Sequence, residues 1–135
     1  MSEPAYADKT ALIIDDQEFV LNIVRAMMDQ IGFGSIETAA DGREGLDVME
    51  TVRPEVVLCD IEMRPMDGLT FLKELRDSEN RVIRDTPVIF LTSHSRHELV
   101  TQARALGADG FVTKPATVNV LRERIEQSFV GRVAS

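Results

Sequence analysis

Pro54-Glu55-Val56-Val57-Leu58-Cys59-Asp60 is a short apolar run that ends in a carboxylate. Val56 to Cys59 does not alternate polar with apolar residues, which is the pattern of a strand buried on both faces, as in a parallel sheet. Such a strand cannot hold a charge in its middle, but it can present one at its tip. Asp60 is therefore expected at the carboxyl end of a central strand, where open α/β sheets bind their ligands. Leu12-Ile13-Ile14 followed by Asp15-Asp16 repeats the arrangement. Two such strands side by side would bring three carboxylates into one crevice, where like charges repel and a cation is needed.

Working outward, strand and helix patterns alternate. Thr10 to Ile14 reads as the first strand. Gln17 to Ile31 reads as a helix in which Phe19, Ile23, Met27 and Ile31 recur at four-residue spacing, with Val20 and Val24 beside them. Asp16 is a candidate cap and Gly32 a stop. Ser35 to Ala39 is a short strand. After the Asp41-Gly42 turn, Glu44 to Val52 is a helix that Pro54 ends. Beyond Asp60 comes a loop rich in breakers, Glu62 to Gly68. Leu69 to Asp77 is a helix and Ser78 to Thr86 a charged connection. Pro87 to Leu91 is a strand ending in Thr92-Ser93. His97 to Leu106 is a helix closed by Gly107. Gly110 to Thr113 is a strand ending in Lys114-Pro115. Thr117 to Val130 is the last helix, with Val118, Leu121, Ile125 and Phe129 turned inward. This alternation predicts an α/β fold: a doubly wound, five-stranded parallel sheet covered on both faces by right-handed crossovers, a three-layer sandwich.

The 135 residues suit one domain, expected over 10–130, with a polar N-terminal tail over 1–9 and a C-terminal tail over 131–135. A net charge of −8 argues against direct nucleic-acid binding and against an anionic membrane surface. No segment approaches the roughly 18 apolar residues of a membrane span. The N-terminus lacks the basic and apolar regions of a signal peptide. The expected location is cytoplasmic. Cys59, the single cysteine, reads as a small core residue rather than a reactive thiol.

Four strands end in residues suited to one site: Asp15 and Asp16, Asp60, Thr92, and Lys114. If strands one, three, four and five lie consecutively, these residues converge. Two or three carboxylate oxygens with room for water match Mg²⁺. A lysine and a hydroxyl facing a metal-bound carboxylate are what a phosphoryl group needs, and the carboxylate can itself be the acceptor. Each residue alone has an ordinary reading. Asp15 or Asp16 would be a helix cap, Thr92 a strand end, Lys114 a surface cation, Phe111 core, and Met63 and Met66 packing. Joint placement carries the functional account.

Taken together, Asp15-Asp16, Asp60, Met66-Asp67-Gly68, Thr92-Ser93 and Lys114-Pro115 resemble, in order and spacing from Thr10 to Val130, the receiver domains of two-component response regulators. The resemblance implies the flavodoxin- or CheY-like strand order 2-1-3-4-5. It implies that Asp60 takes a phosphoryl group from a sensor histidine kinase or a histidine phosphotransferase. Asp16, Asp60 and the backbone carbonyl of Glu62 would bind Mg²⁺ (or Mn²⁺), with Asp15 as a water-mediated partner. Lys114 would contact the phosphoryl group, with Thr92 and Ser93 beside it. Phe111 would turn inward as Thr92 moves, altering the face of the fourth helix, fifth strand and fifth helix. Pro115 would follow a cis bond. The expected role is a stand-alone switch that assists its own phosphorylation and dephosphorylation without being an enzyme. It would bind a downstream protein of unknown identity or pass the group on in a relay. Kinase choice would lie on the first helix, with Gln17, Asn22 and Arg25 as candidates.

The chain departs from this family in three places. Met63-Arg64-Pro65-Met66 displaces a proline by one position, leaving Arg64 to project. Ala116 replaces the aromatic that often follows Lys-Pro. Glu62 and His94 stand at the positions that tune hydrolysis of the acyl phosphate. They would pair across the mouth of the site and screen it from water; two solvated side chains is the plainer reading of the same residues. Three other functions compete. A haloacid-dehalogenase-like phosphohydrolase is suggested by Asp60-Ile61-Glu62, but such enzymes usually carry Asp at the second position and a cap insert. A flavodoxin-like nucleotide or flavin binder would want a glycine-rich loop after the first strand. A constitutive interaction module would have no use for the complete acid–threonine–lysine set.

Overall fold

The computed structural model describes residues 5–93 and 97–134. Five parallel strands, β1 (Thr10–Ile14), β2 (Ser35–Ala39), β3 (Val56–Asp60), β4 (Val88–Thr92) and β5 (Gly110–Thr113), form one sheet in the order β2-β1-β3-β4-β5. Every residue of β3 and β4 is buried, as their unbroken apolar runs require. β2 lies at an edge and is partly exposed.

Successive side chains along a strand point to opposite faces. Leu12, Ile14, Val57, Cys59, Val88 and Phe90 face one side, under α2 (Gly42–Thr51), α3 (Gly68–Arg76), the short α4 (Arg81–Arg84) and α5 (His97–Ala105). Ala11, Ile13, Val56, Leu58, Ile89 and Leu91 face the other, under α1 (Glu18–Ile31) and α6 (Val118–Ala134). The three-layer sandwich and its strand order are thus as expected. In α6, Leu121 and Ile125 are fully buried, with Val118 and Phe129 packed beside them. None of the described helices is long and apolar enough to cross a membrane.

Three local expectations need correction. Asp16 does not cap α1. Gln17 holds the cap position without a side-chain bond, and Asp15 Oδ1 accepts the Gln17 N–H at 2.9 Å. The inward stripe of α1 is Val24, Met28 and Ile31, while Phe19 and Ile23 are 64% and 51% exposed. Apolar residues crowd this helix on every side, so their spacing alone does not fix its phase. The connection after α3 carries its own helical turn, α4, because Asn80 Oδ1 accepts from Val82 N and Ile83 N at 3.0 and 3.2 Å. The face expected on the fourth helix, fifth strand and fifth helix is therefore α5–β5–α6.

Residues 5–9, which composition assigns to a tail, are folded onto the domain. The Tyr6 ring stacks on Phe33 at 4.7 Å and leans on Phe129 at 5.7 Å. Gly34 N donates to the carbonyls of Tyr6 and Lys9, both at 3.1 Å. A Cβ at Gly34 would strike the Ala7 carbonyl oxygen, so this crossing requires glycine.

At the opposite end of the molecule from the strand tips, Arg76 ties three segments together. Its guanidinium donates to the carbonyls of Arg84 (2.8 Å), Thr86 (2.7 Å) and Gly107 (2.7 Å) and to Asp109 Oδ2 (3.0 Å). Asp109 Oδ2 also accepts from Val88 N at 2.8 Å, fixing the start of β4.

Candidate functional site

The pairing of Ile14 with Cys59 puts the next residues, Asp15 and Asp60, side by side beyond the sheet. Asp15 has no solvent exposure, Asp60 has 9%, and Asp16 is exposed. One carboxylate oxygen from each lies within 4.8 Å of the others, so these three residues form a set that can hold a metal ion. β5 brings the balancing cation. Lys114 N donates to Thr92 O at 2.7 Å, and a cis bond joins Lys114 to Pro115. This anchored backbone sets Lys114 Nζ 3.0 Å from Asp15 Oδ2 and 3.6 Å from Asp60 Oδ2.

One ammonium does not neutralise three carboxylates. Burial pushes the Asp60 carboxyl up to about 6, Lys114 works against that shift, and the charge of Asp15 adds to it. Three acceptor-only groups with an excess of negative charge, one of them exposed to water, are the donor chemistry that a hard divalent cation takes. The residues present therefore fit the ion that the fold implies.

A cleft of about 210 Å³ lies over these groups, lined by Asp16, Gln17, Asp60, Glu62, Thr92, Ser93 and Lys114. The expected site residues Asp60, Asp16, Glu62, Thr92, Ser93 and Lys114 thus meet in one place, with Asp15 beneath them. Thr92 is 7% exposed at the end of β4. Its hydroxyl-bearing side chain and the Lys114 ammonium border the same space as the Asp60 carboxylate. His94, and with it the pairing to Glu62, lies outside the described residues. Asn22 and Arg25 line a separate hollow with Asp29 and Phe33, away from Gln17 and the cleft.

The loop after Asp60 is pinned at both ends. Gly68 N donates to Ile61 O at 2.9 Å, and a Cβ at Gly68 would come within 2.5 Å of the Asp60 carbonyl and 2.8 Å of the Phe90 ring. Gly42 N donates to Met66 O at 3.2 Å. Asp67 caps α3 by accepting from Thr70 N at 2.8 Å. Met63 is buried, a packing residue. The displaced proline follows a second cis bond, Arg64–Pro65, which the sequence did not signal. Arg64 is exposed and borders a neighbouring hollow with Asp16, Glu62 and Asp67.

Phe111 is half-buried on β5, with its ring centroid 6.2 Å from that of Phe90. The Arg104 guanidinium lies over its face at 5.5 Å. A further feature went unread in the sequence: an apolar hollow of about 390 Å³ beside the cleft. Phe19, Ile23, Pro115 and Ala116 line it, and it shares Gln17, Ser93 and Lys114 with the cleft. The small Ala116 side chain and the outward Phe19 and Ile23 were both visible as residues; their adjacency was not.

Comparison with known proteins agrees with this geometry. The family model described as the response regulator receiver domain matches residues 11–126. A probable chemotaxis protein CheY of Rhizobium etli is 33% identical over 118 residues, covering 87% of this chain and 90% of that protein. Among solved structures, the chemotaxis protein CheY4 of Vibrio cholerae is similar with a TM-score of 0.81 at 29% identity, covering 89% of this chain and 98% of that one. The CheX–CheY–BeF₃–Mg complex of Borrelia burgdorferi is similar with a TM-score of 0.81 at 28% identity, covering 90% and 89%.

Proposed function

This chain belongs to the response regulator receiver domain family, and on that premise we propose that Asp60 is its phosphoryl acceptor. The observation that carries this reading is the meeting of Asp60, Asp16, Thr92 and Lys114 around one cleft at the strand tips. An Asp60 carboxylate oxygen attacks phosphorus as the P–N bond of a phosphohistidine breaks, and the imidazole leaves and takes up a proton. Lys114 supplies positive charge to the transferred oxygens, and the Thr92 and Ser93 hydroxyls donate hydrogen bonds to them. Mg²⁺ or Mn²⁺, held by Asp16, Asp60 and the Glu62 backbone carbonyl, with Asp15 through water, would supply charge neutralisation at the acceptor and the incoming group. Water then returns the carboxylate to its free form, and Glu62 at the mouth tunes that step.

The donor would be a sensor histidine kinase or a histidine phosphotransferase. Supporting a protein donor, the apolar hollow at Phe19, Ile23 and Ala116 adjoins the cleft and would lie under any protein that covers Asp60. Output would come from the α5–β5–α6 face around Phe111, either by binding a downstream protein or by relay. The receiver unit is taken as residues 10–130.

The test is incubation with acetyl phosphate and Mg²⁺, followed by intact mass. Wild type should gain one phosphoryl group and Asp60→Asn none. Labelling of Asp60→Asn at the wild-type level would refute the assignment. Sustained release of phosphate from small monoesters would instead point to a phosphohydrolase.

A further inference from the structure

Phe111 is held at its main chain and at its ring by two residues that belong to neither the acid cluster nor the phosphoryl cleft. Arg124 Nε donates to the Phe111 backbone carbonyl at 3.3 Å, which fixes the main chain and leaves the side-chain torsion as the remaining freedom. Arg104, on α5, sets its guanidinium 5.5 Å from the ring centroid. Among the described residues the Arg104 side chain has no hydrogen bond or ion pair, so the ring is the contact that holds its guanidinium. Phe111 is only half-buried, and on its inner side it meets Phe90. Movement further inward would carry the ring off the guanidinium and forfeit a cation–π contact.

We infer that Arg104 is a positioning residue: its guanidinium braces the Phe111 ring in its half-buried position and so opposes a state in which the ring lies further inward. This rests on the reading of Asp60 as phosphoryl acceptor and of Phe111 as the side chain that answers it. A contact present in one state and absent in the other biases the equilibrium between them. Its removal therefore tightens binding of any ligand that favours the inward state, by up to the same factor, reached when that state is the minor one. An exposed cation–π contact of this kind corresponds to a change of about 2–5-fold.

The experiment is titration with beryllium fluoride and Mg²⁺, a phosphoryl mimic, followed by the amide resonances of Thr92 and Lys114. Arg104→Ala should bind about 2–5-fold more tightly than wild type, and Arg104→Lys should fall between them. In a Phe111→Leu background, which keeps an apolar side chain but removes the ring, Arg104→Ala should change nothing. Unchanged affinity in Arg104→Ala would overturn the inference, as would the same gain in the Phe111→Leu background. Absence of saturable binding to folded wild type would overturn the acceptor reading and this inference with it.

Discussion

Lys114 Nζ lies 3.0 Å from Oδ2 of Asp15, a carboxylate with no solvent exposure. The lysine therefore neutralises a buried charge on which the strand tips depend. Removing one partner of such a pair leaves the other uncompensated. Lys114→Ala should lower stability without added metal by about 2 kcal/mol, below the range for fully buried pairs because the lysine is partly exposed. Millimolar Mg²⁺ should recover more of that loss than it adds to wild type. Urea titrations with and without Mg²⁺ measure both; an unchanged midpoint for Lys114→Ala without metal would contradict the argument.

Asp60 titrates in the opposite sense to an ordinary paired acid. Its carboxyl is pushed up to about 6, whereas an unfolded chain holds aspartate at about 4. Between those values the folded protein binds more protons than the unfolded one, so this group makes stability fall as pH rises. The deficit is complete above about pH 6 and absent below about pH 4. Asp60→Asn should therefore be more stable than wild type at pH 7.5 without metal, by on the order of 2 kcal/mol, with the difference vanishing toward pH 4. Thermal melts across this range decide it, and parallel curves for the two proteins would refute the prediction.

Arg76 should be a larger single contributor to stability than any residue of the cleft. Its planar fork reaches three carbonyls and the Asp109 carboxylate, an array that an ammonium cannot reproduce. Arg76→Ala should cost about 3 kcal/mol by taking the donor from those carbonyls and the counter-charge from Asp109. Arg76→Lys should recover less than half of it. Denaturation midpoints test this, and full recovery by lysine would show that charge alone matters.

Adjacent residues on α1 should respond in opposite ways. Val24 is 3% exposed and Ile23 is 51% exposed. Val24→Ser should cost about 2 kcal/mol through lost burial. Ile23→Ser should stay within about 0.5 kcal/mol of wild type, as surface changes do. Comparable losses in the two variants would mean that the outward face of α1 is covered in solution.

Much of this architecture was local in character and so could be read along the chain. An unbroken apolar run such as Val56–Cys59 states its own double burial, and a carboxylate at its end states which tip meets water. The site residues were legible for the same reason: Asp15, Asp60, Thr92 and Lys114 each close a strand or follow one directly, and parallel strands align their ends. What lay beyond reading was whatever depends on phase or on distance through space. The apolar residues of α1 surround the helix, so only packing chose Val24 over Ile23 for the core. Arg76 and Asp109 stand 33 residues apart and meet because the end of α3 and the loop before β5 both lie at the amino-terminal end of the strands. The guanidinium over Phe111 and the hollow beside Ala116 likewise exist only once helices cover the sheet, because a contact between elements has no signature within either one.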